Sequence, residues 1–230
     1  MRLIAMFCML MDHMWVTIVP GQMWMTMMGR LAFPIFAFLL AEGYRHTSDF
    51  KKYWKRMVIF ALISEIPFNL MGYGMMIFPF HQNVLWTFCL GLLAMRDLDR
   101  LKKKVKPWLF YLLGIAAAWV YYMAGELSMV DYGGSGILMV LIFYLLKGDT
   151  WLQKAGQLVC LYLINWQLMG GMQIPVGSIE IPLQGLAIFA LPLIWLYKGR
   201  QGPHNQFTKW LGYWFHPVHA LILGLLYLYL

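Results

Sequence analysis

Few residues in this chain have chemistry to offer, and two of them are adjacent. In LMDHMWVTIVP, Asp12 and His13 stand inside an apolar run covering 3–19. A neutral imidazole, with an ordinary pKa near 6.5, can accept a proton near neutral pH, which makes His13 a candidate general base. At a rise of about 1.5 Å per residue, His13 lies roughly 15 Å into the run, near the midplane of a bilayer. Sequence neighbours project about 100° apart around a helix, so Asp12 cannot easily serve His13. Each needs a partner from another element.

Partners are available. Arg30, on the outer part of the second apolar run, can pair with Asp12, with Glu65 or with an anionic group of a ligand. Glu65 lies about 12 Å into the third run. Pro67 follows it, removing a backbone donor beside the polar Asn69. Glu42, Arg45, His46, Thr47 and Lys52 gather around the inner end of the second run; His81, Asn83 and Thr87 surround the start of the fourth; Asp131 and Tyr132 precede the sixth. His216 and His219, three apart on the inner part of the last run, share a helix face. No carboxylate or cysteine stands at ligand spacing beside them, so no metal is expected. Any one of these groups could simply pin two helices together. Asp12, His13, Arg30 and Glu65, all within the first three runs, mark a site when taken together.

The elements that must position them are membrane helices. The 230 residues are 61% hydrophobic and 12% charged, with a mean hydropathy of +0.63; a soluble domain carries about 25% charge. Apolar runs bounded by charge, glycine and proline fall at 3–19, 25–44, 57–73, 83–95, 108–124, 134–146, 151–169, 181–197 and 213–230. The expected fold is an all-α integral membrane protein, a polytopic bundle of about nine transmembrane helices forming one domain over 1–230. Nine alternating spans put every Lys and Arg except Arg30 on one side, including Lys102, Lys103, Lys104, Lys198, Arg200 and Lys209. The positive-inside rule makes that side cytoplasmic, with the N-terminus in and the C-terminus out. No small-residue cleavage site follows the first run, which is expected to remain as a span. Cys8, Cys89 and Cys160 all sit in apolar runs as packing thiols. The net charge of +8 is spread through these loops, where it fits membrane topology and anionic lipid and no nucleic acid. There is no glycine-rich phosphate loop, nucleophile-elbow serine or zinc-protease helix motif.

The segments MLMDH, GRLAFPIFAFLLAEGYRHT, ALISEIPFNL, NVLWT, DYGGSGILMVLIFYL and HPVH, in this order and at these separations, resemble the TraX family of integral membrane proteins. The likeness runs from the first span to the last and is densest over 11–87; His216 stands where the family pattern leads one to expect an aromatic residue. The resemblance implies an acetyltransferase of the bacterial cytoplasmic membrane. Its donor would be cytoplasmic acetyl-CoA and its acceptor an amine or hydroxyl of a protein or small molecule, a pilin N-terminus among them. His13, Asp12, Glu65 and Arg30 would be catalytic. Glu42, Arg45, His46, Thr47, Lys52, Asn69, Asn83, Thr87, Asp131, Tyr132 and His219 would line the donor and acceptor sites. Whether His13 acts as a base or carries the acetyl group stays open. Two other readings stand beside this one: a proton-coupled transporter relaying through His13, Glu65 and Asp131, and a scaffold without catalysis.

Overall fold

A computed structural model describes residues 1–197, 199 and 206–230. Lys198, Arg200 and the side chain of Lys209, counted among the basic loops, lie outside the described residues. The elements are α1 (Arg2–Thr17), α2 (Met23–Gly29), α3 (Ala32–His46), α4 (Phe50–Tyr73), α5 (Val84–Lys104), α6 (Pro107–Leu127), α7 (Gly133–Leu145) and α8 (Trp151–Tyr162). A π-helical turn, Leu163–Leu168, extends α8. An antiparallel hairpin follows, β1 (Gln173–Val176) and β2 (Ile179–Pro182), pairing Gln173 with Pro182. A 3₁₀ segment, Leu183–Phe189, leads into α9 (Ala190–Trp195), and α10 (Gln206–Tyr229) ends the chain.

The fold is helical as expected, and the short hairpin is the one strand pair among the described residues. Gly170, Gly171 and Gly177 all take positive φ, which ends the helix and turns the strands where only hydropathy had been read. The second apolar run is likewise two helices, α2 and α3, broken at Arg30 and Leu31. Among the described residues, three helical segments are long and apolar enough to cross a membrane: Met23–His46, Pro107–Leu127 and Trp210–Tyr229. Others fall short for visible reasons. The first helix has only 16 residues and α7 only 13, while α4 and α5 carry lysines and arginines within the helix itself.

Apolar side chains cover the outside of the molecule as well as its interior. Ile115 and Leu127 on α6 are 73% and 76% exposed, a surface suited to lipid. This is a membrane protein. Inside, Ile35, Leu92, Ile137, Met139, Val140 and Phe143 bring α3, α5 and α7 into one core.

The helices α1, α4 and α10 run parallel. Arg2 lies against Gly212, Phe60 stacks on Tyr213 at 4.9 Å, and further along the same helices a Cβ at Gly224 would come within 2.9 Å of the Met71 nitrogen. Residue number along each of these helices therefore measures depth along one shared axis. Any side chain at position 224 would force α4 and α10 apart.

Candidate functional site

A cavity of about 740 Å³ runs along that axis. One end is lined by Arg2, Tyr53, Arg56 and Tyr213, the middle by Asp12, His13, Arg30 and His216, and the far end by Tyr73, His81, Asp131 and Tyr132. From Arg56 to Tyr73 the α4 wall rises about 25 Å, most of the roughly 30 Å of a bilayer's hydrocarbon core.

In the middle, His13 Nδ1 lies 2.7 Å from His219 Nε2, and His219 Nδ1 lies 2.5 Å from the Phe215 carbonyl. The carbonyl can only accept, so His219 Nδ1 carries the hydrogen. In the uncharged ring His219 Nε2 is then a lone pair, and the hydrogen between the two rings belongs to His13 Nδ1. His13 Nε2 is consequently the bare nitrogen, on a residue that lines the cavity. The ring is clamped between His219, stacked at 4.9 Å, and His216, edge-on at 6.3 Å. His216 and His219 sit at mid-length of α10 and not near its inner end, because the helix begins earlier than hydropathy suggested.

Asp12 faces the other way. Both its oxygens accept from Arg30 Nη2, and Oδ1 also accepts from Thr26 Oγ1 at 2.7 Å. Arg30 Nη1 donates to Gln184 Oε1 at 3.1 Å, Gln184 donates on to Asn165 at 3.0 Å, and Asn165 donates to the Leu161 carbonyl at 2.8 Å. The 3₁₀ segment thus presents the amide that meets the guanidinium, and the π-helical turn presents the amide that holds the first one, both at departures from regular helix. Gly29 makes room: a Cβ there would lie 2.6 Å from Asp12 Cγ.

At the far end, Tyr73 Oη lies 2.6 Å from His81 Nδ1, and His81 Nε2 lies 3.5 Å from Asp131 Oδ1. The neighbouring Asp131 carboxylate raises the His81 pKa above its ordinary value against the opposing effect of burial. The Asp131 backbone is pinned, its N–H donating to Gln82 at 2.8 Å and its carbonyl accepting from Thr87. Tyr132 holds a left-handed φ of 65° with its ring stacked on Phe33 at 3.9 Å, a strained position on the cavity wall.

The structure gathers some of the expected residues and separates others. Asp12, His13, Arg30, Asp131 and Tyr132 line one cavity, and His219 backs His13. Glu65 is not part of the lining; it accepts from Asn83 and from Trp86 Nε1 at 3.0 Å, and Asn83 also caps α5. Asn69 donates to the Met76 carbonyl at 3.3 Å. Arg45 pairs with Glu42 at 2.5 Å and donates to the Phe143 and Tyr144 carbonyls, capping α7, while His46 turns to the Glu42 carbonyl and Thr47 to the Asp49 carbonyl. Lys52 is exposed one turn before Arg56. Gln184, Asn165, Thr26, Tyr53 and Tyr73 escaped the sequence reading. An amide inside an apolar run, as at Asn165 and Gln184, was the available signal.

A protein-family model described as TraX protein matches residues 1–227. The chain is 26% identical over 240 residues to "Probable fimbrial assembly protein FimC, serogroup H1" of Dichelobacter nodosus, covering 97% of this chain and 92% of that protein. No solved structure matches.

Proposed function

The chain belongs to the TraX family, and from that membership and the cavity we propose that it is an acetyltransferase of the bacterial cytoplasmic membrane. It takes the acetyl group of cytoplasmic acetyl-CoA to an amine or hydroxyl at or across the membrane. The relative from Dichelobacter nodosus is named for fimbrial assembly, which makes a pilin N-terminus one amine of this class. The carrying observation is the bare Nε2 of His13, assigned by the hydrogen-bond order from His13 through His219 to Phe215, on a residue that lines a cavity running along the bundle axis.

Parallel α1, α4 and α10, all starting at the basic end, support a topology of nine spans with the N-terminus in and the C-terminus out. The donor then enters beside Arg2 and Arg56. Arg56 Nε is buried with no hydrogen-bond partner among the described residues, as suits a site for phosphate oxygens, and Lys52 adds charge one turn away. Acetyl-CoA supplies the acetyl thioester. His13 takes the proton that the acceptor loses as the new bond to carbon forms, a role worth about a hundred- to ten-thousand-fold in rate. Arg30 Nη1 has a second hydrogen beyond the one given to Gln184, which supports a role for it as donor to the developing oxyanion.

A proton-coupled transporter would also use a cavity along the bundle axis, with His13, Glu65 and Asp131 as its relay. Donor binding separates the two readings. Detergent-purified protein is expected to bind CoA and to release it slowly from acetyl-CoA, with Arg56→Glu weakening the binding at low salt. A wild-type protein that does neither is no acetyltransferase.

A further inference from the structure

The cavity is electrically lopsided. Arginines stand at one end and a carboxylate at the other, and the carboxylate is held with more care than its own contacts explain. Asp131 spends its N–H on Gln82 and its carbonyl on Thr87, so the side chain is fixed in place. Among the described residues the ion-pair partner of that side chain is His81, at 3.5 Å from Oδ1, while Arg30, Tyr73 and Tyr132 lie within electrostatic reach of it. Aromatic rings close the surroundings: Phe68 stands edge-on to His81 at 5.3 Å, and Tyr73 and Tyr132 line the same end of the cavity. A carboxylate with a fixed backbone and one long contact, at a cavity end lined by aromatic side chains, is the chemistry that recognises an ammonium ion.

We infer that Asp131, His81 and Tyr73 form a station at which a primary ammonium group of the acceptor binds and loses its first proton. This rests on the acyl-transfer reading and adds to it. An ammonium nitrogen has no lone pair, so acylating it requires two proton removals, and His13 supplies only one base. At the station one ammonium N–H is accepted by Asp131 and another points at His81. In the tautomer whose Nδ1–H donates to Tyr73 Oη, His81 Nε2 is a lone pair facing Asp131. Its 3.5 Å separation from Oδ1, too long for a good hydrogen bond, leaves room for a bridging N–H. The transfer is R–NH₃⁺ plus neutral His81 giving R–NH₂ plus His81 imidazolium, whose charge Asp131 then neutralises. The amine attacks the acetyl carbonyl carbon further in; the C–N bond forms and the C–S bond breaks. The second proton passes through His13 to the thiolate, while the first leaves from His81 to solvent. Asp131 first, and Glu65 after it, raise the His81 pKa above its ordinary value against the opposing effect of burial, which makes His81 a better acceptor for the ammonium proton.

The test uses the full chain in detergent with two probes of one shape, alaninamide and lactamide, which differ by an ammonium and a hydroxyl. Calorimetry is expected to show wild type binding alaninamide about tenfold or more tightly than lactamide near neutral pH, the size of one charge-assisted contact. Asp131→Asn should bring the two affinities within about twofold, and Asp131→Glu should restore part of the difference. His81→Phe should keep the preference and move the rise in amine turnover to higher pH. Equal affinities in wild type, or a preference that survives Asp131→Asn, overturns the station. CoA binding measured on the same samples keeps the two proposals apart: its absence in wild type sinks the acetyltransferase reading, while the ammonium preference is scored without it.

Discussion

Asp12 and His13 are neighbours in the chain and opposites in the fold. Asp12 enters a closed knot in which Thr26, Arg30, Gln184 and Asn165 satisfy one another through to the Leu161 carbonyl. His13 enters a cluster of three imidazoles, beside the cavity, whose hydrogen-bond order leaves one of its nitrogens bare. The same depth in the bundle therefore hosts a saturated group and an unsaturated one. Stability and reactivity can be built one residue apart because a helix sends neighbours about 100° apart, toward different partners. A buried pair costs much to break, whereas a lone pair costs little to keep and is available to a substrate.

The contrast can be broken at either residue. His13→Ala should reduce acetyl-CoA turnover about a hundred- to ten-thousand-fold, the usual worth of a general base. Monodisperse protein should be recovered in nearly normal yield, since an interhelical hydrogen bond averages only about 0.6 kcal/mol in a membrane protein. Turnover per folded molecule above roughly a tenth of wild type would move the base elsewhere, with His219 the next candidate.

Arg30→Ala should do the reverse. Leaving Asp12 as a buried carboxylate without its cation costs about 3–5 kcal/mol, so recovery by size exclusion in detergent should collapse before activity can be compared. If Arg30→Ala folds as well as wild type, the knot is not what holds α1 to α2 and α3.

Gly29→Ala tests the knot more gently. Its Cβ would lie 2.6 Å from Asp12 Cγ, and overpacking of this kind costs about 1–3 kcal/mol. A lowered midpoint in thermal denaturation is expected, with the His13 cluster and CoA binding kept; an unchanged midpoint would mean that Asp12 can yield.

The smallest effect should come from pH at the far end. His81 has a folded-state pKa raised above its unfolded value by Asp131, so its stabilising contribution is fully present below about 6.5 and is lost as pH rises through the folded value. With His81 36% and Asp131 29% exposed, screening limits the effect to about 1 kcal/mol, or roughly 2–4 °C in midpoint. The fall should shrink in Asp131→Asn, which leaves only the weaker effect of Glu65. A pH dependence that persists undiminished in that variant belongs to another group.

Much of the architecture was legible in the residues. The low charge fraction and the apolar runs required a membrane, and an aspartate and a histidine in one such run required partners on other helices, which Arg30 and His219 supply. Arg30 was readable as a partner for Asp12 because it alone broke the charge pattern. The choice between Asp12 and Glu65 as its mate was not readable, since both carboxylates lie in apolar runs at similar depth. The hairpin at 173–182 escaped because hydropathy reports burial without backbone shape, and glycines at 170, 171 and 177 were needed to turn the chain. Arg45 resembled a ligand-binding cation and is a helix cap, because the α7 carbonyls it meets lie 98 and 99 residues away.

The sequence by itself determined what each residue costs to bury: hydropathy and charge are sums over neighbours along the chain, so the apolar runs, the basic end and the need to compensate Asp12 and His13 follow from it alone. Tertiary structure alone decided who compensates whom. His13 and His219 are 206 residues apart, and whether their nitrogens meet at hydrogen-bond distance depends on how α1 and α10 slide and rotate against each other. That register is set by packing across the whole interface, at Gly224 on Met71 and Tyr213 on Phe60, and no window of sequence contains it. The free nitrogen of His13 follows only once the register is fixed, because a tautomer is chosen by the neighbour that the fold brings to it.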